Sequence, residues 1–216
     1  MAITDPKLIE QYRHIHKTSR FGVSAHEFEA QIQACVVDLK PKVTLEYGCG
    51  QSRLYQTLET GGANFVRYDP SIPALADLAI KQADLIINTD VLEHIPADDL
   101  DAVLGHMRSF GDKVFFNIAT RPARRTLPNG ENAHCTIWPA EKWLLVLQRH
   151  FPATRLLIEK PGYECTFMTW SSPPLEKLIV DIDRFKTIAQ RERKRLGSRI
   201  KRKWHKLMTG RENRVK

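Results

Sequence analysis

Two acids and two glycines stand where an α/β sheet would bind a ligand. Residues 43–45 form a short apolar run, Glu46 places a carboxylate at its carboxyl end, and Gly48 and Gly50 follow. Glycines so spaced let a tight strand-to-helix turn bring its backbone close to a ligand. Asp69 ends the next apolar run, 19 positions after Gly50, a spacing that suits a carboxylate binding ribose hydroxyls. The pattern predicts a nucleoside site.

The next positions argue against a dinucleotide. The fingerprint G-x-G-x-x-G needs glycine at position 53, where this chain has Arg53, and that bulk opposes close packing of a helix on a pyrophosphate. An anion is also disfavoured beside Glu46, whereas a cationic ligand pairs with its carboxylate. S-adenosylmethionine fits, since it carries an ammonium, a sulfonium and a ribose but no phosphate. The alternative is an ordinary strand-turn-helix unit without a ligand.

Three stretches resemble the class I S-adenosylmethionine-dependent methyltransferases. They are L-E-Y-G-C-G-Q-S at 45–52, Y-D-P at 68–70 and N-T-D-V-L-E-H-I-P at 88–96. The last is the most specific, and the order of elements extends the likeness to about residue 171. The resemblance implies an α/β fold with a Rossmann-like, mostly parallel sheet, helices on both faces and an antiparallel terminal hairpin. It implies S-adenosyl-L-methionine as the cofactor.

The resemblance also implies a set of cofactor-binding positions. Glu46 and the glycine turn would face the methionine end, Asp69 would hold the ribose, and the turn at 89–90 would line the methionine and adenine side. The full set is Glu46, Tyr47, Gly48, Gly50, Ser52, Asp69, Pro70, Asp90 and Val91.

The chain departs from the family pattern in two places. Ser52 replaces a small glycine often seen in the first motif. Only 14 residues separate Asp69 from Asp84, and they include Pro70 and Pro73 but no convincing strand. The region between the second and fourth family strands is therefore predicted to be shortened, which leaves adenine recognition open, with Asp77 as one candidate.

Hydrophobic periodicity predicts a helical arm over 1–40, a core over 41–172 and an amphipathic helix with a basic tail over 173–216. Within the arm, Ser24 is expected to cap a helix over 25–39. In the resembled methyltransferases the region before the first strand often folds over the cofactor as a lid, which implies that Arg20-Phe21-Gly22 forms its hinge and an aromatic cover; a helix packed at the sheet edge is the alternative. Strands are expected near 43–47, 64–69, 84–88, 113–118, 155–160 and 164–170. Helices are expected near 52–60, 98–108 and 139–150.

A connection of some 20 residues between the fourth strand and the helix from Pro139 is long enough to be functional. The turn at 128–130 is expected to aim Asn132 and His134 at the pocket. Because neutral histidine is a suitable base near pH 7, His134 is the candidate catalytic residue. A packing role for His134 is the alternative, and His94 is more typical of a cofactor pocket.

The same connection carries three arginines that suit a phosphate or carboxylate on the acceptor, or form a solvated charge cluster instead. These are Arg121, Arg124 and Arg125.

The basic charge is confined to the carboxyl-terminal segment. Residues 184–216 hold 14 Lys or Arg against two Glu, a net +12, so with +8 for the whole chain the other 183 residues carry −4. The carboxyl-terminal segment also has the pattern of an amphipathic helix. An apolar stripe of Leu175, Leu178, Ile179, Ile182 and Phe185 is expected to pack on the core. Beyond Gln190, basic residues flank Leu196, Ile200, Trp204 and Leu207, a pattern that suits an anionic membrane surface. Nucleic acid and a merely solvated tail are the alternatives.

The composition argues against several classes of protein and of metal site. The four cysteines form no C-x-x-C pair, which favours reduced thiols in a cytoplasm and neither disulfides nor zinc. No metal site is expected, and His14 and His16 are predicted to lie on the surface. No apolar run reaches about 18 residues, and no secretory signal is expected at the amino terminus.

Together these patterns predict a cytoplasmic methyltransferase, peripheral to a membrane if its tail binds one. Its acceptor would be a sugar, a glycolipid-linked intermediate of polysaccharide synthesis or another small molecule. An RNA methyltransferase and a catalytically inactive binding protein on the same fold are the alternatives.

Overall fold

Six strands form one sheet in the computed structural model, which describes residues 4–209 and the side chains of residues 4–198. The strands are β1 (Val43–Tyr47), β2 (Asn64–Tyr68), β3 (Leu85–Thr89), β4 (Val114–Ala119), β5 (Arg155–Lys160) and β6 (Glu164–Met168). The helices are α1 (Pro6–Thr18), α2 (Glu29–Leu39), α3 (Leu54–Thr57), α4 (Leu100–Phe110), α5 (Ala140–His150) and α6 (Pro173–Thr209).

The strand order is β2-β1-β3-β4-β6-β5. Strand β1 pairs in parallel with β2 and β3, and β3 pairs in parallel with β4. Strand β6 runs antiparallel to both β4 and β5. The predicted fold class, including the antiparallel terminal hairpin, is confirmed. Because the chain leaves β1 towards β2 on one side and returns to β3 on the other, a crevice opens at the carboxyl ends of β1 and β3.

Both faces of the sheet are buried, as its apolar central strands require. On one face, Leu104 and Met107 of α4 pack beside Trp143 of α5. On the other face, Ile32 of α2 packs with Leu175 of α6. The strand ends that carry the sequence motifs are thus held by a core with two layers.

The region after β2 is shortened as predicted. Between Asp69 and β3 the structure contains a single 3₁₀ turn, Pro73–Leu75, and no strand, so β2 is the edge of the sheet. The helix expected over 52–60 is also short, since α3 spans only four residues.

The predicted cap at Ser24 is wrong. Residues Ser24–Phe28 form a 3₁₀ helix, and α2 follows from Glu29 with Phe28 at its N-cap and no side-chain cap. Ser24 instead lies near the carboxylate of Asp90, because the chain passes over the carboxyl end of β3 at this point.

The predicted packing stripe on α6 is only partly right. Leu175 and Ile179 are buried against α2, but Leu178 is 49% exposed and Phe185 is 70% exposed. The core covers a narrower arc of the helix than the apolar stripe spans. The side chains of residues 199–209, including Ile200, Trp204 and Leu207, lie outside the described part of the chain, as do residues 210–216.

Among the described residues, no helix has the length and apolar character needed to cross a membrane.

Candidate functional site

The two glycines after β1 form a turn that other residues would obstruct. Gly48 has φ +78°, and a Cβ there would lie 2.5 Å from Cγ2 of Val91. Gly50 has φ +49° and is just as restricted, because its Cα faces Gly22. Only glycine tolerates both the left-handed conformation and the close approach. The turn is therefore pressed against the residues that follow β3.

Asp69, at the end of β2, is tied to this turn. Its Oδ2 accepts a hydrogen bond from the backbone N–H of Gly50 at 2.9 Å. Its Oδ1 accepts from both the N–H and the hydroxyl of Ser71, at 2.9 and 2.5 Å. A carboxylate oxygen has about two acceptor positions, so Oδ2 retains one for a ligand.

Asp90, the residue after β3, adopts an uncommon backbone conformation. Its φ is +52°, a value that non-glycine residues adopt mainly at functional or turn positions. Burial raises the pKa of Asp90 to about 6, although the nearby Ser24 hydroxyl lowers it. Asp90 is thus a carboxylate that is partly withdrawn from water.

A cavity lies between these strand ends and the amino-terminal arm, and we call it the arm cavity. Its volume is about 90 Å³, which is below the range of about 300–1,000 Å³ that is typical of ligand pockets. Its carboxylates are Asp69 and Asp90, and none of the described residues that line it is Lys or Arg. The lining residues are Thr4, Leu8, Ile9, Tyr12, His16, Phe21, Gly22, Gly48, Gly50, Asp69, Pro70, Ser71, Asp90, Val91, His94 and Ile95.

The arm is fastened over the cavity by Gln51. The side-chain amide of Gln51 donates to the carbonyl of His16 at 2.8 Å and accepts from the N–H of Phe21 at 3.1 Å. The backbone N–H of Gln51 donates to the carbonyl of Phe21 at 3.3 Å. One residue of the glycine turn therefore holds both the end of α1 and the hinge that follows it.

An apolar extension of the arm cavity, the side pocket, opens towards α4. Tyr47, Tyr68 and Val103 form its far wall, and it shares Gly48 and Val91 with the arm cavity. Asp77 is exposed and lines neither space. The side pocket is a suitable place for a flat, apolar ring system, without help from Asp77.

A second, more open cavity lies on the other side of Asp90, and we call it the arginine groove. It shares Phe21, Gly22, Asp90 and His94 with the arm cavity. Its other lining residues are Arg20, Val23, Ser24, Glu27, Ala119, Arg121, Pro122, Ala123, Arg124, Arg125 and His134. The long connection after β4 thus reaches the site, with its three arginines.

Asn132 folds this connection back on itself. Its side chain accepts from the N–H of Ala123 and the N–H of His134, both at 2.9 Å, and donates to the carbonyl of Ala123. The turn ends at Gly130, which has φ +88°. The turn is confirmed and His134 lines the groove, whereas Asn132 closes the loop.

His94 and His134 lie side by side, with ring centroids 4.7 Å apart. Burial, together with the neighbouring His134 ring, lowers the pKa of His94 to about 3. Burial also lowers the pKa of His134. Nδ1 of His134 is 2.6 Å from the carbonyl oxygen of Arg121, which assigns its proton to Nδ1. Both rings are therefore neutral at pH 7, and Nε2 of His134 carries a lone pair.

Glu46 and Ser52 lie behind the glycine turn rather than in a cavity wall. Glu46 is 2% exposed, and burial raises its pKa to about 7 against the lowering effects of the Ser52 hydroxyl and the Arg67 guanidinium. Arg67 Nε is 3.9 Å from Oε2 of Glu46. Ser52 Oγ accepts from the N–H of Leu54.

The predicted cofactor positions thus divide into three groups. Tyr47 lines the side pocket, and Glu46 and Ser52 line neither space. Those that line the arm cavity are Gly48, Gly50, Asp69, Pro70, Asp90 and Val91.

Sequence reasoning expected the arm to cover the site but did not identify the α1 side chains that line it. His14 is exposed as predicted, but His16 is half-buried and lines the arm cavity, so its predicted surface position is wrong. Tyr12 also lines the cavity and donates a hydrogen bond to the carbonyl of Ala133 at 2.8 Å. The spacing of Leu8, Tyr12 and His16 on one helical face was the available signal.

Sequence comparisons give no relative, since neither a protein-family model nor a curated protein matches this chain. Solved structures with a similar fold include several methyltransferases. The 1,6-didemethyltoxoflavin-N1-methyltransferase of Burkholderia thailandensis is 12% identical, with a TM-score of 0.44 over 67% of this chain and 79% of its own. Human N-acetylserotonin methyltransferase is 13% identical, with a TM-score of 0.47 over 67% of this chain and 52% of its own.

The N-methyltransferase NodS of Bradyrhizobium japonicum is 14% identical, with a TM-score of 0.41 over 65% of this chain and 87% of its own. Structural similarities with such low sequence identity and TM-score assign this chain neither a family nor a substrate.

Proposed function

We propose that this chain is an S-adenosylmethionine-dependent methyltransferase, with the methyl donor in the arm cavity and the acceptor in the arginine groove. The observation that carries the proposal is the division of charge between the two spaces. Asp69 and Asp90 line the arm cavity, and no Lys or Arg does so among the described residues. Four arginines line the groove that adjoins it, and they outnumber its two carboxylates, Glu27 and the shared Asp90. A cationic donor and an anionic acceptor match this division.

The hydrogen bonds at Asp69 support a ribose at this position. The free acceptor position on Oδ2 would take one ribose hydroxyl, and the Ser71 hydroxyl, now bound to Oδ1, can rotate to take another. The aromatic and aliphatic wall of the side pocket would receive the adenine. The methionine end would then point towards Asp90, whose carboxylate suits the positive charge of the donor.

Methyl transfer in this arrangement needs little covalent help from the protein. The acceptor atom attacks the methyl carbon, and the carbon–sulfur bond breaks with its electron pair left on sulfur, which forms S-adenosylhomocysteine. Holding the two reactants in line supplies much of the rate acceleration. For a hydroxyl acceptor, Nε2 of His134 would take the proton, since the lowered pKa of His134 keeps its ring neutral at pH 7.

The acceptor is proposed to carry a phosphate or carboxylate. Arg124 and Arg125 are exposed, and Arg121 lies over the ring of Tyr163, 3.8 Å from its centroid. Guanidinium groups bind such anions through paired hydrogen bonds. A sugar or glycolipid-linked intermediate with an anionic group meets this requirement.

Calorimetry with S-adenosylhomocysteine tests the donor site. The wild-type protein should bind it saturably, and Asp69→Ala should weaken binding by more than about 1 kcal/mol, the scale of a lost charge-assisted hydrogen bond. Asp77→Ala is the matched control, because Asp77 is an exposed acid from the same region that lines neither the arm cavity nor the side pocket. Failure of the folded wild-type protein to bind would refute the proposal.

A labelled-methyl assay tests the acceptor. Cell extract separated into lipid, polysaccharide, RNA and protein fractions should accept label mainly in the lipid or polysaccharide fraction. Label in RNA would support the alternative in which the basic tail recruits RNA. Donor binding without transfer to any fraction would indicate a binding protein.

A further inference from the structure

Three side chains beside the arginine groove, two of which line it, have the composition of a metal site. Glu93 and His94 belong to the 3₁₀ turn after β3, and His134 comes from the connection after β4. A carboxylate oxygen of Glu93 and one ring nitrogen from each histidine all lie within 4.8 Å of one another.

Glu93 is buried, and one of its two carboxylate oxygens lacks a hydrogen-bond donor among the described residues. It is 0% exposed, and while Oε1 accepts from the N–H of Ala119 at 2.9 Å, Oε2 has no hydrogen-bond partner within the described part of the chain. Buried carboxylates in folded proteins are paired with a donor, protonated or bound to a metal. An unpartnered oxygen beside two neutral imidazoles is what a ligand set looks like before its cation binds.

The histidines are oriented as metal ligands usually are. Nδ1 of His94 lies 2.8 Å from the carbonyl oxygen of Ala133 and 3.0 Å from the Tyr12 hydroxyl. Nδ1 of His134 lies 2.6 Å from the carbonyl oxygen of Arg121. A hydrogen bond from one ring nitrogen to a carbonyl fixes the tautomer and leaves the other nitrogen free to bind a metal.

We propose that Glu93, His94 and His134 bind one divalent first-row transition-metal ion, such as zinc, iron or manganese, beside the arginine groove. Two imidazoles and one carboxylate are a donor set that such ions accept with positions left open, whereas calcium prefers a set made only of oxygens. Ligand bonds of about 2.1 Å separate two donors by at most about 4.2 Å. The donor atoms, which now lie within 4.8 Å of one another, must therefore move slightly closer, and a small side-chain rotation is enough.

The open positions would face the groove, because both histidines line it. This part of the inference rests on the proposed methyltransferase function. An acceptor hydroxyl bound to the ion loses its proton more readily, and the proton leaves to solvent through the open groove. The acceptor oxygen then attacks the methyl carbon, and the electron pair of the carbon–sulfur bond stays on sulfur. His134 would act as a ligand rather than as the base.

Metal titration of the full-length protein tests the inference. After treatment with a chelator, the wild-type protein should bind one equivalent of Zn²⁺ by calorimetry, and Co²⁺ should give the visible absorption of a site with nitrogen and oxygen ligands. His134→Ala should weaken Zn²⁺ binding by at least about 100-fold, since it removes a direct ligand. His134 is half-buried in a loop, so this variant is a milder perturbation than one at Glu93.

Two control variants separate this site from adventitious binding. His14→Ala removes an exposed histidine of α1, and Cys135→Ser removes an exposed thiol next to His134; both should bind Zn²⁺ like the wild type. The inference is overturned if the wild type binds no Zn²⁺, if His134→Ala binds it equally well, or if Cys135→Ser abolishes binding.

S-adenosylhomocysteine titrations on the same samples keep the two proposals apart. Donor binding without Zn²⁺ binding would refute only the metal site and leave His134 as the base. Zn²⁺ binding without donor binding would refute only the methyltransferase proposal.

Discussion

Gly22, in the hinge of the arm, lies directly against Gly50 of the glycine turn. A Cβ on Gly22 would come within 2.9 Å of the Cα of Gly50, and a Cβ on Gly50 within 2.8 Å of the Cα of Gly22. Contacts under 3.0 Å force a shift of the backbone. The two glycines therefore set how closely the arm covers the donor site.

Gly22→Ala should loosen this contact. The methyl group must push the hinge away from Gly50, so we expect affinity for S-adenosylhomocysteine to fall about tenfold or more by calorimetry. Alanine at a left-handed position also costs about 1 kcal/mol of stability by itself. Gly61→Ala controls for that cost, because Gly61 has φ +63° but no atom within 4 Å of the added Cβ. Equal loss of affinity in both variants would contradict this account of the contact.

The convergence of Gly48, Asp69 and Asp90 could be predicted from the sequence. Each follows the carboxyl end of a strand, and parallel strands bring those ends to one edge. The contact between Gly22 and Gly50 could not, because it depends on how the arm folds back, which local periodicity does not encode.

The proposed metal-binding cluster and the packing of α6 show the same limit of prediction from local sequence. His94 and His134 are 40 positions apart and meet only because the connection after β4 returns to the turn after β3. Leu178 and Leu175 lie on one broad apolar stripe, yet only Leu175 is buried. Periodicity gives the direction of a stripe, while the width that is covered depends on the partner helix.

Gln51→Ala should release the arm without disturbing the sheet. Two side-chain hydrogen bonds to the arm, one to His16 and one to Phe21, are lost, and each contributes about 1 kcal/mol. We expect faster amide hydrogen exchange in α1 and weaker donor binding. The control is Gln56→Ala, since Gln56 is exposed and its side chain bonds only to Tyr55 among the described contacts. Unchanged exchange in α1 would show that other contacts hold the arm.

Glu46 should make the stability of the empty protein depend on pH. Its pKa is raised from 4.5 to about 7 by burial, so between those values the folded chain holds a proton that the unfolded chain has released. The free energy of unfolding therefore decreases as the pH rises from 4.5 to about 7, and Glu46 lowers it no further above pH 7. The shift corresponds to about 3 kcal/mol.

Glu46→Gln removes this titration. The variant should unfold at a higher temperature than the wild type at pH 8, and the difference should shrink as pH falls towards 4.5. Thermal unfolding followed by circular dichroism at several pH values measures both trends. The contribution of Glu46 would be ruled out if the wild type were more stable at pH 8 than at pH 5.5 and Glu46→Gln showed the same dependence on pH.

The sequence predicts that the basic tail binds an anionic membrane surface, so removing residues 190–216 should abolish such binding and leave the core intact. Lys186 of α6 bonds to the carbonyl of Glu27 and lies over Phe28, whereas residues 189–196 are exposed. We therefore expect the melting temperature to change by less than about 2 °C. The removed segment holds twelve Lys or Arg and two Glu, and basic residues near an anionic surface contribute about 1 kcal/mol each.

Sedimentation with vesicles measures the effect. The full-length protein should sediment with vesicles that contain anionic lipid, less so as salt is raised, and not with neutral vesicles. The truncated protein should remain in the supernatant with both kinds of vesicle. If the full-length protein stays in solution with anionic vesicles at low salt, the tail has another role, and a salt-dependent affinity for RNA becomes the next measurement.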